Sequence, residues 1–342
     1  MKEFSRYSRQ IILKEIGREG QRRLEAARVA VIGVGALGSV SANLLARAGV
    51  GRILLIDRDY LEINNLQRQV LYDEKDLAQD LPKAIAAKLK LEQINSEIQI
   101  EAEVGDLNPQ SAGELLQGVD LMIDGTDNFE TRFLMNDFSL KNKIPWIYGG
   151  AVRTEGMSYV IFPGRGPCLR CLFGEAPGAE SVQTCDQVGI LAPVAHLIAS
   201  FQTIEAIKIL AGQEQAVARQ LWKVDLWTRE FKEISVEHLK NNPCSGCKSG
   251  DYPYLSRQSG TQAVSLGGRN AVQIHSENGI KVDLKILAAK LEGLAEIYCN
   301  PYLLRCRTES YEITVFTNGR AIVKGTEDAG QARSLYAKFI GS

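Results

Sequence analysis

The chain has 342 residues, 45% of them hydrophobic, and its formal net charge at pH 7 is −1. This length allows one large domain, or a large and a small one, and the balanced charge gives no sign of a nucleic-acid or membrane partner. Seven cysteines and a polar start, MKEFSRYSRQ, favour a reducing compartment over a secreted disulfide framework. We therefore expect a cytoplasmic protein.

The first 150 residues alternate between strand-like and helical patterns. Arg28–Gly33 is an apolar run that enters a glycine-rich turn, a helical pattern follows to Gly49, and Arg52–Asp57 is a second apolar run. Strand, turn, helix and strand in this order predict a parallel βαβ unit. Because the alternation continues to Gly150, we predict an α/β fold with a Rossmann-like, mostly parallel sheet and helices on both faces.

The pattern changes after Val152. Residues 156–189 are rich in Gly, Pro and Cys and are predicted to be loop with little regular structure. The apolar stretch Ala192–Ala211 predicts a largely buried helix, since a membrane span would tolerate Glu205 poorly. Residues 221–237 alternate as in an antiparallel hairpin.

A turn-rich stretch near residue 248 predicts a domain boundary. We expect a first domain over residues 1–248 and a small α/β domain over residues 251–342. In the second domain, strand-like runs surround a helical segment at Leu284–Leu294, and a hairpin is predicted with Asn318–Gly319 as its turn.

The glycine turn indicates a nucleotide. Gly33, Gly35 and Gly38 fit G-x-G-x-x-G, which lets phosphate approach the amides at a helix amino terminus. Asp57 ends the next strand about 20 residues later, where a carboxylate accepts hydrogen bonds from ribose hydroxyls. Asp59 is an alternate for that role, and a purely structural tight turn is the alternative for the glycines.

The segment Asn64–Gln69, NNLQRQ, favours ATP over NAD. A triphosphate needs several donors, and Arg68 can bind phosphate oxygens bidentately while Asn65 and Gln69 add neutral donors. Lys83 lies in the first turn of a predicted helix, where a cation is unfavourable unless an anion offsets it. We favour a phosphate ligand for Lys83, and a solvated surface lysine is the alternative.

The motif DGTDN, Asp124–Asn128, ends another strand at the same predicted edge of the sheet. Two carboxylates beside a triphosphate would repel it unless a cation intervenes, which points to Mg²⁺ at Asp127. The alternative is that Asp127 and Asn128 cap the following helix.

Two C-x-x-C pairs indicate a metal centre. Four thiolates from Cys168, Cys171, Cys244 and Cys247 suit a tetrahedral structural Zn²⁺. Redox chemistry is the alternative, although two matched pairs are more than a redox site needs.

The remaining cysteines lack such partners. Cys185 stands in a loop just before a predicted helix, where a thiol can have a lowered pKa and act chemically. Cys299 and Cys306 lie in strand-like apolar surroundings, and we expect both in the core.

The combination of motifs carries a family resemblance. RYSRQ, GVGALG, NNLQRQ, LPK, DGTDN and the two C-x-x-C pairs, in this order, resemble the ThiF/MoeB/HesA family over residues 1 to about 248. Members of that family are ATP-dependent adenylyltransferases, related to ubiquitin-activating enzymes, that act on small ubiquitin-like sulfur carriers.

The resemblance implies a homodimer and a role for each motif. Arg9 would reach the partner's ATP, Asp57 would bind ribose, and Cys185 matches a cysteine that takes part in acyl transfer in some members. Phosphate contacts are implied for Asn65, Arg68, Lys83 and, more weakly, Gln69, with Mg²⁺ at Asp127 and zinc at the four paired cysteines.

The implied reaction joins the C-terminal glycine of a carrier ending in Gly-Gly to AMP and releases pyrophosphate. A carboxylate is already a nucleophile, so catalysis would be positioning and charge neutralisation by Arg9, Arg68, Lys83 and Mg²⁺. A sulfur donor protein would be a further partner. The alternatives are an NAD-dependent oxidoreductase and a non-catalytic nucleotide-binding scaffold.

The second domain is expected to differ from the rhodanese domain that some relatives carry. The sequence contains no cysteine followed by a short glycine- and arginine-bearing anion loop, and we reject Cys306 as a candidate. A carrier-recognition or dimer-supporting module is our hypothesis for this domain.

Overall fold

The computed structural model describes residues 5–176, 185–256, 263–266, 270–274, 282–293 and 295–340, without the side chains of 185, 186 and 263–266. The chain divides into two compact units, Met1–Arg257 and Gln258–Ser342. Each unit has a sheet and a hydrophobic core of its own.

An eight-stranded sheet organises the described part of the first unit. Its strands are β1 (Arg28–Ile32), β2 (Arg52–Asp57), β3 (Gln99–Val104), β4 (Leu121–Asp124), β5 (Trp146–Val152), β6 (Glu155–Ile161), β7 (Leu221–Asp225) and β8 (Glu230–Ile234). The order is β3-β2-β1-β4-β5-β6-β7-β8. The first five strands in this order are parallel to one another, and β6, β7 and β8 each pair antiparallel with the strand before them. The predicted mostly parallel sheet is confirmed, and so is the predicted hairpin, β7–β8.

Helices cover both faces of this sheet. They are α1 (Ser8–Ile11), α2 (Gly17–Ala26), α3 (Ala36–Ala48), α4 (Glu74–Ala78), α5 (Lys83–Ile94), α6 (Ala112–Leu115), α7 (Phe129–Asn142), α8 (Leu169–Phe173), α9 (Cys185–Val188), α10 (Ala192–Leu210) and α11 (Pro253–Ser256). Leu37 of α3 and Val194 of α10 pack together on one face, and Phe133 of α7 packs on the other. Within the described residues no helix has the length and apolarity needed to span a membrane.

The prediction of loop over residues 156–189 is wrong at its start. Strand β6 pairs with β5 along its whole length, from Trp146 opposite Ile161 to Val152 opposite Glu155. Tyr159 and its two successors are all buried, because both faces of this strand are covered. A strand of that kind shows no alternation, so the Gly, Pro and Cys that follow it dominated the pattern.

The second unit contains a six-stranded sheet with the order β11-β12-β13-β14-β10-β9, and its neighbouring strands are antiparallel. Its elements are β9 (Ala263–Leu266), β10 (Ala271–Ile274), α12 (Leu284–Leu291), β11 (Glu296–Cys299), β12 (Leu303–Arg307), β13 (Glu312–Phe316), β14 (Ala321–Lys324) and α13 (Ala329–Phe339). Leu287 of α12 and Ala332 of α13 pack with Leu304 and Val315 of the sheet. The predicted turn at Asn318–Gly319 is confirmed, with φ of 78° at its glycine.

The two cysteines of this unit have different surroundings. Cys306 is buried in β12, as expected. The expectation of a core position for Cys299 is wrong, since it ends the edge strand β11 and is exposed.

Candidate active site

The glycine turn between β1 and α3 packs closely against the backbone of the loop that follows β4. Gly33 has φ of 83°, in the left-handed region that glycine adopts without strain. A Cβ atom on Gly38 would lie 1.8 Å from the carbonyl oxygen of Gly33, and one on Gly125 would lie 2.2 Å from that same oxygen. The turn therefore needs glycine at Gly33 and Gly38, and the loop after β4 needs it at Gly125, which was not singled out from the sequence.

Asp57 ties the glycine turn to the end of β2. The Val34 N–H donates to Oδ2 of Asp57 at 2.6 Å, and the Asp59 N–H donates to its Oδ1 at 2.8 Å. Burial raises the pKa of Asp57, while the charge of Lys83 opposes that shift. A carboxylate has about four acceptor positions, so two remain in which ribose hydroxyls could be bound.

The NNLQRQ segment is a compact turn that starts with a 3-10 helix, Ile63–Asn65. Asn65 is buried, accepts a hydrogen bond from the Glu62 N–H at 3.1 Å and donates to Oδ1 of Asn64 at 2.8 Å. Arg68 is half-buried and donates to the carbonyl oxygen of Asn64 at 2.8 Å. Asn65 therefore shapes the turn that presents Arg68.

Gln69 has an unsatisfied atom beside the glycine turn. The residue is 3% exposed, and its Oε1 has no hydrogen-bond partner. At Gly35 an added Cβ would meet only the Gln69 Nε2, at 3.7 Å. A buried acceptor without a donor is costly, so a ligand N–H or O–H would fit here.

Lys83 is buried rather than solvated, so the alternative of a surface lysine is wrong. The residue starts α5 and is 5% exposed, and its Nζ lies 3.3 Å from Oδ2 of Asp59. The Lys83 N–H also donates to the Asp59 carbonyl oxygen at 2.9 Å. Tyr72 joins this group to the glycine turn, because its hydroxyl donates to the Val34 carbonyl oxygen at 2.7 Å.

The two aspartates of DGTDN have different surroundings. Asp124 is fully buried, accepts from Nε of Arg132 at 2.8 Å and accepts from the N–H of Thr126 at 2.9 Å. The expectation of two carboxylates beside a triphosphate is therefore wrong for Asp124, whose charge Arg132 neutralises.

Asp127 and Asn128 also differ in their roles in the loop. Asn128 is the cap of α7, accepting a hydrogen bond from the Thr131 N–H at 2.8 Å. Asp127 is exposed, so the capping alternative holds for Asn128 and leaves the Asp127 carboxylate accessible at the edge of the sheet.

Two buried residues near this loop were missed in the sequence. Gln202 of α10 donates through Nε2 to the carbonyl oxygens of Asp124 at 2.8 Å and Ile147 at 3.1 Å. A Cβ on Gly149 would lie 2.4 Å from that same nitrogen. A polar residue in an apolar helix and a glycine pair in a strand were the available signals.

Arg9 lies in α1, whose neighbours in the sequence anchor the segment. Tyr7 is buried, and its hydroxyl accepts a hydrogen bond from Asn95 at 2.9 Å. Gln10 donates to the carbonyl oxygen of Ala48 at 2.9 Å. The Arg9 side chain is exposed, so the motif fixes the segment and leaves this arginine at the surface.

The four paired cysteines form a cluster. Sulfur atoms lie 3.8 Å apart in Cys168 and Cys171, 3.7 Å in Cys168 and Cys244, and 3.5 Å in Cys171 and Cys247. Tetrahedral zinc with bonds of about 2.3 Å places its sulfur ligands about 3.8 Å apart, so the residues fit this ion. The hydrogen bond with Cys171 and burial raise the pKa of Cys168, and burial raises the pKa of Cys247 to about 12. A cluster of thiolates therefore needs the charge of a bound cation.

Helix α7 contacts the first cysteine pair and the segment that follows the second. The Leu169 N–H donates to Oδ1 of Asn136, and the Tyr254 N–H donates to Oδ2 of Asp137, each at 2.9 Å. Arg170, between the first two cysteines, lies 3.6 Å from Oδ1 of Asp137. The helix capped by Asn128 thus reaches the first cysteine pair in its third turn.

Cys185 is the first residue of α9, and its side chain lies outside the described residues. The acyl-transfer role that the family resemblance implies for it stays a prediction.

Comparison with known proteins decides the family. The model of the ThiF family matches residues 7–246, which is well over half of the chain. The chain belongs to the ThiF family. The predicted resemblance is therefore confirmed.

The names of three relatives of this ThiF-family chain all include the word adenylyltransferase. It is 42% identical over 339 residues to the sulfur carrier protein ThiS adenylyltransferase of Bacillus subtilis, covering 98% of this chain and 99% of that one. It is 36% identical to the sulfur carrier protein adenylyltransferase of Thermus thermophilus, covering 73% of this chain and 92% of that one. It is 40% identical to the adenylyltransferase and sulfurtransferase MOCS3 of Anopheles gambiae, covering 72% of this chain and only 55% of that one.

Solved structures show the same fold. The crystal structure of E. coli MccB with ATP has a TM-score of 0.61 and 24% sequence identity, and the match covers 71% of this chain and 74% of that one. The sheet and helices of the first unit therefore belong to an architecture that is already known experimentally.

Proposed function

We propose that this protein is an ATP-dependent adenylyltransferase that joins the C-terminal glycine of a small ubiquitin-like sulfur carrier, ending in Gly-Gly, to AMP and releases pyrophosphate. The observation that carries the proposal is the 42% identity to a sulfur carrier protein ThiS adenylyltransferase over nearly the full length of both chains. None of the relatives named above is a dehydrogenase, so neither the NAD-dependent oxidoreductase nor the scaffold is favoured.

The adenosine half of ATP would bind at the glycine turn. The amino end of α3 offers backbone N–H groups and a positive helix end to phosphate. Asp57 would accept hydrogen bonds from ribose, and the unsatisfied Oε1 of Gln69 would accept one from the nucleotide. The glycines Gly33, Gly35 and Gly38 let the backbone come this close.

The triphosphate would lie along the NNLQRQ turn and the start of α5. Arg68 and Lys83 would bind its oxygens, and Asn65 supports the turn that carries Arg68. Lys83 already pairs with Asp59, so phosphate would share this ammonium group, which has three donors. These contacts position the phosphates and neutralise their charge.

The carboxylate of Asp127 would hold Mg²⁺, which favours oxygen ligands. When bound, this ion would supply further neutralisation of the triphosphate. The attacking carboxylate of the carrier glycine is already ionised at neutral pH, so the site needs no general base. The protein's own contribution is orientation of the α-phosphate and electrostatic stabilisation.

Arg9 supports a homodimer through its position. Gln10, the next residue, bonds to Ala48 at the carboxyl end of α3, whereas the glycine turn lies at the amino end. Thirteen residues of helix separate the two ends by about 20 Å, which is beyond the reach of an arginine side chain. Arg9 would therefore contact the ATP of a second protomer rather than that of its own.

The cysteine cluster would hold a structural zinc, and we propose no part for it in the chemistry. A sulfur donor protein that acts after adenylylation completes the set of proposed partners. The sulfurtransferase part of the MOCS3 name is not transferred to this chain, which spans about half the length of those relatives.

Carrier-dependent exchange between ATP and pyrophosphate tests the proposal, using a panel of small carriers that end in Gly-Gly. We expect exchange with at least one carrier, and its loss in Arg68→Ala and in Asp127→Ala. Affinity for NAD without any exchange would support the oxidoreductase instead. ATP binding without exchange for every carrier would favour the scaffold.

A further inference from the structure

A buried ion pair joins Asp124, at the end of β4, to Arg132 of α7 across the Asp124–Asn128 loop. Asp124 is 0% exposed and Arg132 is 6% exposed. The Nε of Arg132 donates to Oδ2 of Asp124 at 2.8 Å, and its Nη2 donates to the carbonyl oxygens of Thr126 at 2.7 Å and Gly149 at 2.9 Å. One guanidinium therefore joins the end of β4, the loop and strand β5.

The residues on both sides of Asp127 are held in place. Thr126 donates through its N–H and its Oγ1 to Oδ1 of Asp124, at 2.9 and 2.8 Å, and its carbonyl accepts from Arg132. Asn128 is fixed as the cap of α7. Asp127 is exposed between these two residues, so they set the direction in which its carboxylate leaves the loop.

The same loop also contacts the glycine turn. A Cβ on Gly125 would lie 2.2 Å from the Gly33 carbonyl oxygen and 2.9 Å from the Cα of Gly38. With backbone against backbone, a shift of the loop displaces the turn as well. The ion pair is therefore connected to both parts of the proposed nucleotide site.

Arginine is required for this arrangement. The guanidinium of Arg132 lies 5.1 Å from the ring centroid of Phe129 and 5.2 Å from that of Tyr148. A lysine would keep the charge, but it lacks the planar fork that serves a carboxylate and two carbonyls together. These contacts use Nε and Nη2 of Arg132 to orient protein groups, and the side chain is only 8% exposed.

We propose that Arg132 is a positioning residue for Mg²⁺-dependent nucleotide binding. By joining Asp124, Thr126 and Gly149 it holds Asp127 in the orientation in which that carboxylate can bind the cation. This inference rests on the proposed function, since it takes Asp127 as the magnesium ligand. Arg132 acts through Asp127 and does not itself touch the nucleotide.

A double-mutant cycle tests this, with the α,β-methylene analogue of ATP as the probe, because its bridge between the α- and β-phosphates cannot be cleaved to transfer AMP. Its affinity is measured by calorimetry with and without added Mg²⁺ for the wild type, Arg132→Lys, Asp127→Ala and the double variant. We expect Arg132→Lys to lose at least about fivefold in affinity with Mg²⁺ and to match the wild type without it. The double variant should bind no more weakly than Asp127→Ala alone.

The matched control is Arg28→Lys, at the amino end of β1. Arg28 also bonds a carbonyl and a carboxylate, those of Gln117 and Glu101, but at the opposite edge of the sheet. We expect it to leave the Mg²⁺ effect unchanged. Thermal unfolding of each variant establishes that it is folded.

Two results would overturn this inference and leave the proposed function standing. One is a loss of affinity in Arg132→Lys that is equal with and without Mg²⁺. The other is a loss of affinity that adds fully to that of Asp127→Ala. If Arg132→Lys does not fold, Arg132→Gln with Asp124→Asn removes both charges together, and the same outcomes decide. If the nucleotide affinity of the wild type does not depend on Mg²⁺, the proposed magnesium role of Asp127 is wrong, and so is this inference.

Discussion

Charged side chains around the glycine turn differ in how they are held and in how far they are exposed. Asp124 is matched by Arg132 and Asp59 by Lys83, while Asp57 accepts from two backbone amides. Asp127 is the exposed carboxylate of its loop. The site therefore combines a preorganised polar frame with an exposed carboxylate, which is suited to a cation and its polyphosphate.

Substituting Gly125 tests the contact between the two loops. A Cβ there would lie 2.2 Å from backbone oxygen, so Gly125→Ala must displace the glycine turn. We expect at least about a tenfold loss of nucleotide affinity by calorimetry, because small displacements in such sites have large effects. Gly113→Ala is the control, since a Cβ at Gly113 meets nothing within 4 Å; an unchanged affinity in Gly125→Ala would contradict the prediction.

Asp137 gives the stability of the first unit a dependence on pH. Burial raises the pKa of Asp137 from 3.8 to about 6. A carboxyl group with a higher pKa in the folded state holds its proton more tightly there. Its contribution to stability is therefore full below pH 3.8 and is lost as the pH rises through about 6.

The variant Asp137→Asn cannot ionise and keeps an oxygen for the Tyr254 N–H. Relative to the wild type, we expect its free energy of unfolding to rise between pH 4 and pH 7, by about 2 to 3 kcal/mol at most. Thermal unfolding across this range measures it. Asp73→Asn is the control, because a hydrogen bond with Lys90 lowers the pKa of Asp73 to about 2, so its difference from the wild type should stay constant there.

Some of these residues could be predicted from the sequence and others could not. Gly33, Asp57 and Arg68 lie in local motifs whose spacing follows from one strand and one turn. The pairing of Arg132 with Asp124 depends on how a helix returns over the end of a strand, which no local pattern records. For the same reason, the sequence did not show which of Asp127 and Asn128 caps the helix.

Helix α7 is the element that connects the two candidate sites of the first unit. Its cap is Asn128, beside Asp127. In its third turn, Asn136 accepts from the Leu169 N–H inside the first cysteine pair, and Asp137 accepts from the Tyr254 N–H beyond the second. The sequence predicted this helix and the cysteine cluster separately. Their contact could not be predicted, because the two cysteine pairs are about seventy residues apart and meet only in the folded chain.

Removing one zinc ligand should weaken the first unit as a whole. We expect Cys247→Ser to lose bound zinc, measured by elemental analysis, and to unfold at a lower temperature, because the metal contributes directly to folding. Cys299→Ser is the matched control, as this cysteine is exposed in the second unit. Full zinc content in Cys247→Ser would show that the cluster does not use all four thiols.

At the scale of the molecule, the chain is two compact units with separate cores. The first contains every residue of the proposed nucleotide and zinc sites. The second has an antiparallel sheet with two helices, and the sequence match to the Bacillus subtilis relative extends through it. Its proposed role in carrier recognition or dimer support stays a prediction.

Truncation after Arg257 separates these roles. We expect the shortened protein to bind the ATP analogue with wild-type affinity, because the nucleotide site lies within the first unit. Adenylylation of the carrier should fall, as seen by pyrophosphate exchange over a range of carrier concentrations. Unchanged exchange at low carrier concentration would exclude a part for the second unit in carrier binding.

The reach of α7 has a practical consequence for handling the protein. With magnesium and zinc in the proposed sites, a chelator added to strip the first ion would also draw the second from the cysteine cluster, and the far end of the same helix would lose its anchor. Returning magnesium alone would then leave the preparation partly inactive, and the deficit would look like a kinetic defect. The metal content of each batch is therefore part of the definition of the active protein.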